Sequence, residues 1–388
     1  MRCSVTTESR QKAYVLTHHW VPNFGANLQA LGTRRLLEAR GYDVKFVDFR
    51  PRALVEKYNR SIPEAQRKAH ADFVDEYLPQ TALVEDQAGF ERLVRDAAAD
   101  LFVTGSDAVF RLDQASSRAD LVFPNPYWLT GIPDGPGAEP MKVALAPSAM
   151  GVNLSRMDAT AREGMARALR SMDGLSVRDS WTSGQIRRIA PDVRTEIIPD
   201  PVFSLRKLIR ETRREQPAEA PYVIVNTQQI MDRSWIERFS RLAEAEGYRT
   251  LSIPTPEGQI DAGAISTADL PIAPMDWLKL LARSSGYVGV RFHPVVVALS
   301  AGLPVVSLDL YHGSPLTVRR SKTWLIMKEF GLTKACHGHR WHRWLSPEKV
   351  WTQIQGQRDQ AAQKTEVVDR LAQTIENYLD RVLQVGSP

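Results

Sequence analysis

The stretch GYVGVRFHPVVVALSAGLPVVSLDL at 286–310 leaves the chain few options. Residues 287–292 are a short, largely apolar run that reads as a buried strand. Pro294 fits a first helical turn, where its missing N–H would have no intrahelical partner. Residues 295–300 supply an apolar turn or two, Gly302 ends the helix as a C′ glycine, and 304–308 read as a second buried strand. In open parallel α/β sheets, ligands bind outside the carboxyl ends of the strands. Arg291 and His293 stand where strand hands over to helix. A fixed cation and a titratable imidazole two residues apart suit an anionic substrate and proton transfer. Read alone, they suit a surface charge and a locally satisfied helix-start residue equally well.

The same alternation runs through the rest of the chain. Residues 13–17 form a strand, followed by HHWVPNFGAN at 18–27 and a helix to Arg40 whose apolar stripe is Leu28, Leu31, Leu36 and Leu37. Gly41 stops it, and 43–49 are the next strand. The Gly25 turn offers free N–H groups to an anion, but it is neither GxGxxG nor a Walker A loop. Residues 51–98 read as helical and charged, with His70 solvated among them. Strand 100–104 runs into Gly105, Ser106 and Asp107, where glycine permits close backbone approach and Ser106 or Asp107 can cap the next element. Strand 142–146 runs into a Pro147–Gly151 turn that carries Ser148. Helix 158–171 leads to strand 174–177, which ends in Arg178, a cation placed like Arg291, with Ser180 as a natural N-cap. Strand 195–198 closes on the Pro199-Asp200-Pro201 turn.

Residues 204–221 are charged and end Pro-rich, which predicts a boundary between domains 1–205 and 206–388. The second half restarts with strands 222–227 and 248–253 and helices 234–246 and 276–284. His312 comes after the last strand of the opening stretch, and a helical tail over 347–384 can reach back to the first domain. Two parallel α/β domains leave a cleft into which both sets of strand ends open. It brings Gly25, Ser106, Arg178, Arg291 and His293 within reach of one site.

At 388 residues, two domains are the natural expectation. The net charge of +5 comes from scattered Lys and Arg, which suits a small acidic substrate or an anionic surface at least as well as nucleic acid. With only Cys3 and Cys336, no disulfide framework can be built. MRCSVTTESRQK has no apolar core, and the sequence holds no 18-residue apolar run. A cytoplasmic protein with at most peripheral membrane contact is expected. Cys336, His337, His339 and His342 are ligand types that suit zinc, but their spacing matches no zinc pattern. Interleaved with Trp341, Trp344, Arg340 and Arg343, they read as a packing loop or as a cleft rim that stacks on sugar.

Five segments, taken in order, resemble the polysaccharide pyruvyl transferase family: NFGANLQALG at 23–32, VTGSDAVF at 103–110, LAPSAMG at 145–151, LSVRDSWTSGQI at 175–186 with IPDPVF at 198–203, and VGVRFHPVVVALSAGLPVV at 288–306. The resemblance implies α/β architecture, with two Rossmann-like parallel-sheet domains facing across a cleft, of the GT-B type. It implies transfer of the enolpyruvyl carbons of phosphoenolpyruvate onto two sugar hydroxyls as a cyclic ketal, with release of phosphate, as in exopolysaccharide biosynthesis. The donor carries a carboxylate and a phosphate, so its site needs more than one cation, and arginine forks suit both groups. The resemblance gives donor binding to Arg178, Arg291, Phe292 and His293, and catalysis to His293 and Arg291. The acceptor or cleft side falls to Asn23, Gly25, Asn27, His18, Gly105, Ser106, Asp107, Ser148 and His312. No cofactor, metal or nicotinamide is demanded. The partners implied are phosphoenolpyruvate and a saccharide, whether free, lipid-linked or nucleotide-linked, and no nucleic acid.

Two departures bear on the acceptor: Ala108-Val109-Phe110 stands where the family often has Gln-Val-Trp, and no histidine accompanies Ser148. Two other readings share the scaffold: a glycosyltransferase using a nucleotide sugar, and a non-catalytic saccharide- or anion-binding protein.

Overall fold

The computed structural model describes residues 10–134, 140–215, 220–227, 230–258, 265–309, 321–338, 342 and 344–385. They build two sheets in which every paired strand is parallel. The first holds β1 (Lys12–Leu16), β2 (Asp43–Phe49), β3 (Gln80–Val84), β4 (Leu101–Thr104), β5 (Met141–Ala144), β6 (Gly174–Val177) and β7 (Glu196–Ile197), in the order β3-β2-β1-β4-β5-β6-β7. The second holds β8 (Tyr222–Asn226), β9 (Arg249–Ser252), β10 (Ser266–Thr267), β11 (Gly286–Gly289), β12 (Val305–Asp309) and β13 (Cys336–Gly338), in the order β10-β9-β8-β11-β12-β13. Strands β4, β8, β11 and β12 are buried at every residue, as parallel strands covered on both faces must be.

The strand order reverses once in each sheet. Leu16 of β1 pairs beside Thr104 of β4, and Asn226 of β8 pairs beside Gly289 of β11. At each reversal the connections diverge to opposite faces and leave a crevice beyond the carboxyl ends.

The helices are α1 (Phe24–Glu38), α2 (Arg52–Ser61), α3 (Glu64–Tyr77), α4 (Gln87–Asp96), α5 (Ala159–Arg170), α6 (Ser180–Ile189), α7 (Arg206–Glu215), α8 (Arg233–Glu244), α9 (Pro274–Ala282) and α10 (Phe292–Ser300). Beyond α10 come Lys322–Glu329, Pro347–Gln355 and the long Ala361–Val385. Among the described residues no helix is long and apolar enough to cross a membrane.

Three local features differ from expectation. The 51–98 region contains β3, an edge strand with Leu83 58% exposed; such an edge shows no alternation to read. Helix α6 is capped by Asp179, whose carboxylate accepts the Thr182 N–H at 2.7 Å, rather than by Ser180. Helix α10 starts at Phe292, so Arg291 is its N-cap rather than the last residue of a strand.

The two sheets share one continuous apolar core. The C-terminal helix lies against the first sheet, where the buried Tyr378 hydroxyl donates to the Ala144 carbonyl of β5 at 2.9 Å. Arg40 pairs with Asp380 of the same helix at 2.7 Å. Helix α1 packs closely on the 201–205 turn because Gly32 carries no side chain; a Cβ there would stand 2.4 Å from the Pro201 carbonyl oxygen. Alanine in a helix interior normally gains about 1 kcal/mol over glycine. Here the obstacle is backbone, and overpacking costs about 1–3 kcal/mol. Gly32→Ala is therefore expected to lower the thermal midpoint; a rise would show that the contact relaxes freely.

Candidate active site

Both crevices open into one hollow of about 310 Å³. The first sheet contributes Asn23 and Gly25 beyond β1, Asp107 beyond β4 and Met150 beyond β5. The second contributes Asn226 at the end of β8, Arg291, Phe292 and His293 beyond β11, and Asp309 at the end of β12. Lys322, the first residue of its helix, completes the wall.

The start of α10 is the chemical centre of this wall. Arg291 makes no side-chain cap, so the N–H groups of Phe292 and His293 are left at the positive end of the helix without intrahelical acceptors. The His293 ring packs closely against Gly25: a Cβ at that position would be 1.9 Å from Nδ1. Its Nε2 stands 3.7 Å from the Asp200 carboxylate and has no hydrogen-bond partner among the described residues. Helix α1 presents a different end, because the Asn23 side chain already accepts from Gly25 N–H at 3.0 Å and Ala26 N–H at 3.2 Å. The free N–H groups expected at Gly25 are thus capped, and the anion-ready terminus is that of α10.

Behind His293 lies a buried charge cluster. Arg178 donates to Asp200 at 2.8 Å and approaches Asp107 at 3.7 Å. Burial alone would raise the Asp200 carboxyl, but His293 and Arg178 outweigh it and hold the group well below the usual carboxylate range. Asp107 is shaped by the same contest: burial pushes it up, and Arg178, His18, His293 and Lys322 bring it below the ordinary value. A depressed native carboxylate contributes stability that is present above its unfolded value of 3.8 and lost as pH falls towards the native one. Two cations lie over the Phe292 ring, Arg178 at 5.5 Å and Lys322 at 4.7 Å from its centroid.

Several residues picked from the sequence stand elsewhere. Arg178 does not line the hollow; its side chain is 3% exposed and engaged by two aspartates. Its guanidinium stands behind the wall of the hollow, with one hydrogen bond to Asp200 and Nε left without a partner among the described residues. Asn27 is buried, donating to the His19 carbonyl at 2.6 Å and accepting from His70 Nδ1 at 2.6 Å. Ser106 is buried with its hydroxyl on the Ala146 carbonyl at 2.8 Å, and no helix comes directly after it for it to cap. Gly105 packs against the Leu145 carbonyl. Ser148 donates to Asp179 at 2.6 Å.

These four shape the loops beneath the hollow and do not face it. Burial lowers the His18 imidazole, whose Nδ1 lies 3.0 Å from the Tyr127 hydroxyl. His18 stands next to the wall rather than in it. His312 lies outside the described residues. Asn23, Gly25, Asp107, Arg291, Phe292 and His293 are brought together as expected from their strand-end positions.

His70 is a correction. It is fully buried against Phe24, and burial pulls its imidazole down to about 3. The charged residues of α3 concealed a buried face of Gln66, His70, Phe73 and Val74. Lys322 was missed. Its only sequence signal is a cation at the wrong end of a helix.

Cys336 and His337 begin an edge strand. His337 meets Gln353 at 2.8 Å, and His342 donates to the His337 carbonyl at 2.8 Å. Among the described residues no group of three His, Cys, Asp or Glu is arranged to hold a metal; His339, Arg340, Trp341 and Arg343 lie outside them.

Two substitutions test this geometry. Gly25→Ala should push the imidazole off its seat and abolish turnover while secondary structure persists; an active alanine variant would mean that the ring position is unimportant. Asp200→Asn leaves Arg178 in the interior without its main counter-charge, expected to lower unfolding free energy by about 3–5 kcal/mol in a denaturant titration. An unchanged midpoint would show that Asp107 alone suffices.

A family model described as polysaccharide pyruvyl transferase matches residues 23–311. A search of curated protein sequences returns no match. Among solved structures the fold is similar to a UDP-N-acetylglucosamine 2-epimerase, with 10% identity over 98% of this chain and 95% of that one and a TM-score of 0.53. It is also similar to the UDP-GlcNAc 2-epimerase from Neisseria meningitidis bound to UDP-GlcNAc, at 8% identity over 97% and 100% of the two chains and a TM-score of 0.52. The spinosyn forosaminyltransferase SpnP aligns at 11% identity over 98% and 100%, with a TM-score of 0.50. At these identities the likeness speaks for the fold alone, which is of the GT-B type. The family match runs from the N-cap of α1 past the end of β12 and includes all of α10, and the chain belongs to the polysaccharide pyruvyl transferase family.

Proposed function

We propose that the chain moves the enolpyruvyl carbons of phosphoenolpyruvate onto two hydroxyls of a saccharide, forming a cyclic ketal and releasing phosphate. The observation that carries this reading is His293, an imidazole at the start of α10 whose Nε2 faces the Asp200 carboxylate at 3.7 Å, on the wall of a small hollow. About 310 Å³ lies at the lower end of ligand pockets, which suits a compact dianion.

His293 delivers a proton to the methylene carbon of the donor, and positive character develops at the neighbouring carbon. One acceptor hydroxyl adds there and loses its proton, balancing the one gained. The second hydroxyl then displaces phosphate, and its proton leaves with that group. Arg291 and the N–H groups of Phe292 and His293 hold the donor's anionic ends. Asp107, ionised and on the opposite wall, orients an acceptor hydroxyl by accepting its hydrogen bond. These steps call on side chains and backbone alone, with no metal or nicotinamide. A reducing cytosol fits a chain with two cysteines.

The decisive experiment tracks phosphate release from labelled phosphoenolpyruvate with a panel of sugar acceptors. His293→Gln should lower turnover by about 10²–10⁴-fold, and Arg291→Lys should lose much of the donor affinity, both with native circular dichroism. Near-wild-type rates in either variant remove that residue from its role. A thermal midpoint raised by a nucleotide sugar and not by phosphoenolpyruvate would overturn the reading in favour of a glycosyltransferase.

A further inference from the structure

We propose that helix α5 carries a second saccharide site, away from the hollow, which holds an acidic sugar chain by its rings and its carboxylates. The proposal rests on the reaction above, because each cyclic ketal leaves a carboxylate on the saccharide, and a polymer modified in this way is acidic. Two depressions flank α5. One, of about 600 Å³, is lined by Phe123, Thr130, Thr160 and Ser171 among others. The other, of about 440 Å³, is lined by Arg162, Arg167, Arg170 and Arg188, with Glu163 as the one acid among its described lining residues. Helical spacing divides them: residues 160, 164, 168 and 171 share the first side, and 159, 162, 163, 166 and 170 the second. Arg167 stands between the two and lines both.

The first depression suits a sugar ring. Phe123 is half-buried and set edge-on to Trp128 at 5.7 Å. Gly164 lets its ring lie against the α5 backbone, since a Cβ there would stand 2.4 Å from it. A fixed aromatic surface beside hydroxyls can take the apolar face of a sugar and bond its rim. The Ser171 and Thr130 hydroxyls donate to the Ala168 and Asn125 carbonyls at 3.0 and 3.2 Å, which leaves lone pairs to accept from a ligand. Asp134 and Asp158 line this side too, where they would repel an anion. Asp134 pairs with Lys142, and Asp158 caps α5 through the Ala161 N–H at 2.8 Å. The ligand's carboxylates therefore belong across the helix, where arginine forks match them. There Arg170 is held by Asp192 at 2.7 and 2.9 Å, and Arg162 donates to the Ser155 carbonyl at 3.1 Å. Arg167 and Arg188 are exposed, and their side chains form no ion pair or hydrogen bond among the described residues.

One ordered loop joins Phe123 to the neighbourhood of the hollow. The Asn125 side chain accepts the Tyr127 N–H at 3.1 Å and donates to the Val122 carbonyl at 3.0 Å. The Tyr127 hydroxyl then meets His18 Nδ1 at 3.0 Å beside the hollow. A sugar chain modified at the hollow can stay attached through its earlier, already acidic units, which raises the effective concentration of the next one. A concave surface with a glutamate among its arginines suits a lipid bilayer poorly, because interfacial binding needs an apolar face that enters the headgroups.

The test is calorimetry with an alginate hexamer, a polyuronate, and with the same hexamer after its carboxyls are reduced to alcohols. The acid form should bind about tenfold more tightly, and more weakly as salt rises. Arg167→Glu combined with Arg188→Glu should lower affinity for the acid form about 10- to 100-fold. Thr160→Trp, which fills the first depression from an exposed position, should weaken both forms. None of these residues lines the hollow, so phosphate release with phosphoenolpyruvate and a small acceptor should stay at the wild-type level, while KM for a long acidic acceptor rises. Equal binding of the two hexamers, unchanged affinity in the arginine variant, or tighter binding to phosphatidylglycerol vesicles than to alginate overturns this inference and leaves the reaction standing. Absence of phosphate release by the wild-type protein overturns the proposed reaction, whereas the alginate titrations, run without phosphoenolpyruvate, judge the α5 site by itself.

Discussion

Arg178 and Asp200 form an ion pair that is nearly removed from water, with side-chain exposures of 3% and 0%. Such a pair is weak evidence for stability, because desolvating two charges offsets most of their attraction. Its effect here is positional. Arg178 comes directly after β6, Asp200 opens the 201–205 turn seated on Gly32 of α1, and His293 arrives from the second sheet on α10. One carboxylate thus faces a fixed cation from one sheet and a titratable ring from the other. The imidazole that the proposed chemistry uses is aligned by a contact that exists only when both sheets are in place.

The floor of the first sheet's crevice is held by uncharged hydrogen bonds. Asn27 ties the 17–23 loop to α3 through His19 and His70. Gln29 joins Thr17 Oγ1 at 2.7 Å to the Ser106 N–H at 3.1 Å, coupling the loops after β1 and β4. A buried network of this kind favours one loop geometry, because alternatives would leave further polar groups without partners. Burial takes His19 to about 4 and His70 to about 3. Both fold neutral, so the unfolded chain binds the extra protons and stability declines as pH drops below about 6.5. The loops after β1 and β4 are thus tied together by groups that stay uncharged at neutral pH.

The two sheets also meet closely at Gly25. A helix start with a side chain at its second residue would collide with the His293 ring, and the two crevices could not merge into one hollow. Glycine serves here by its lack of a Cβ, whereas Gly302 is used for its positive φ of 74°.

The alternation of apolar runs with amphipathic helices was enough to determine two parallel α/β sheets and the strand ends carrying Asn23, Gly25, Asp107, Arg291 and His293. Those signals are local: periodicity, a proline in a first turn, a glycine after a last one. Edge strand β3 escaped because a half-exposed strand carries little apolar pattern, β13 because it is only 3 residues long, and the buried side of α3 was hidden by the charges on its other face. Only the tertiary structure decided which strand-end groups see the hollow. Arg178 and Arg291 occupy equivalent positions in the chain, yet one is turned into the interior by Asp200 and Asp107 while the other stays exposed. Lys322 enters the site from a helix that no strand-end rule singles out. Burial and ion pairing depend on neighbours hundreds of residues away in some cases, as with Ala144 and Tyr378. A linear pattern therefore names the candidates, and packing assigns their roles.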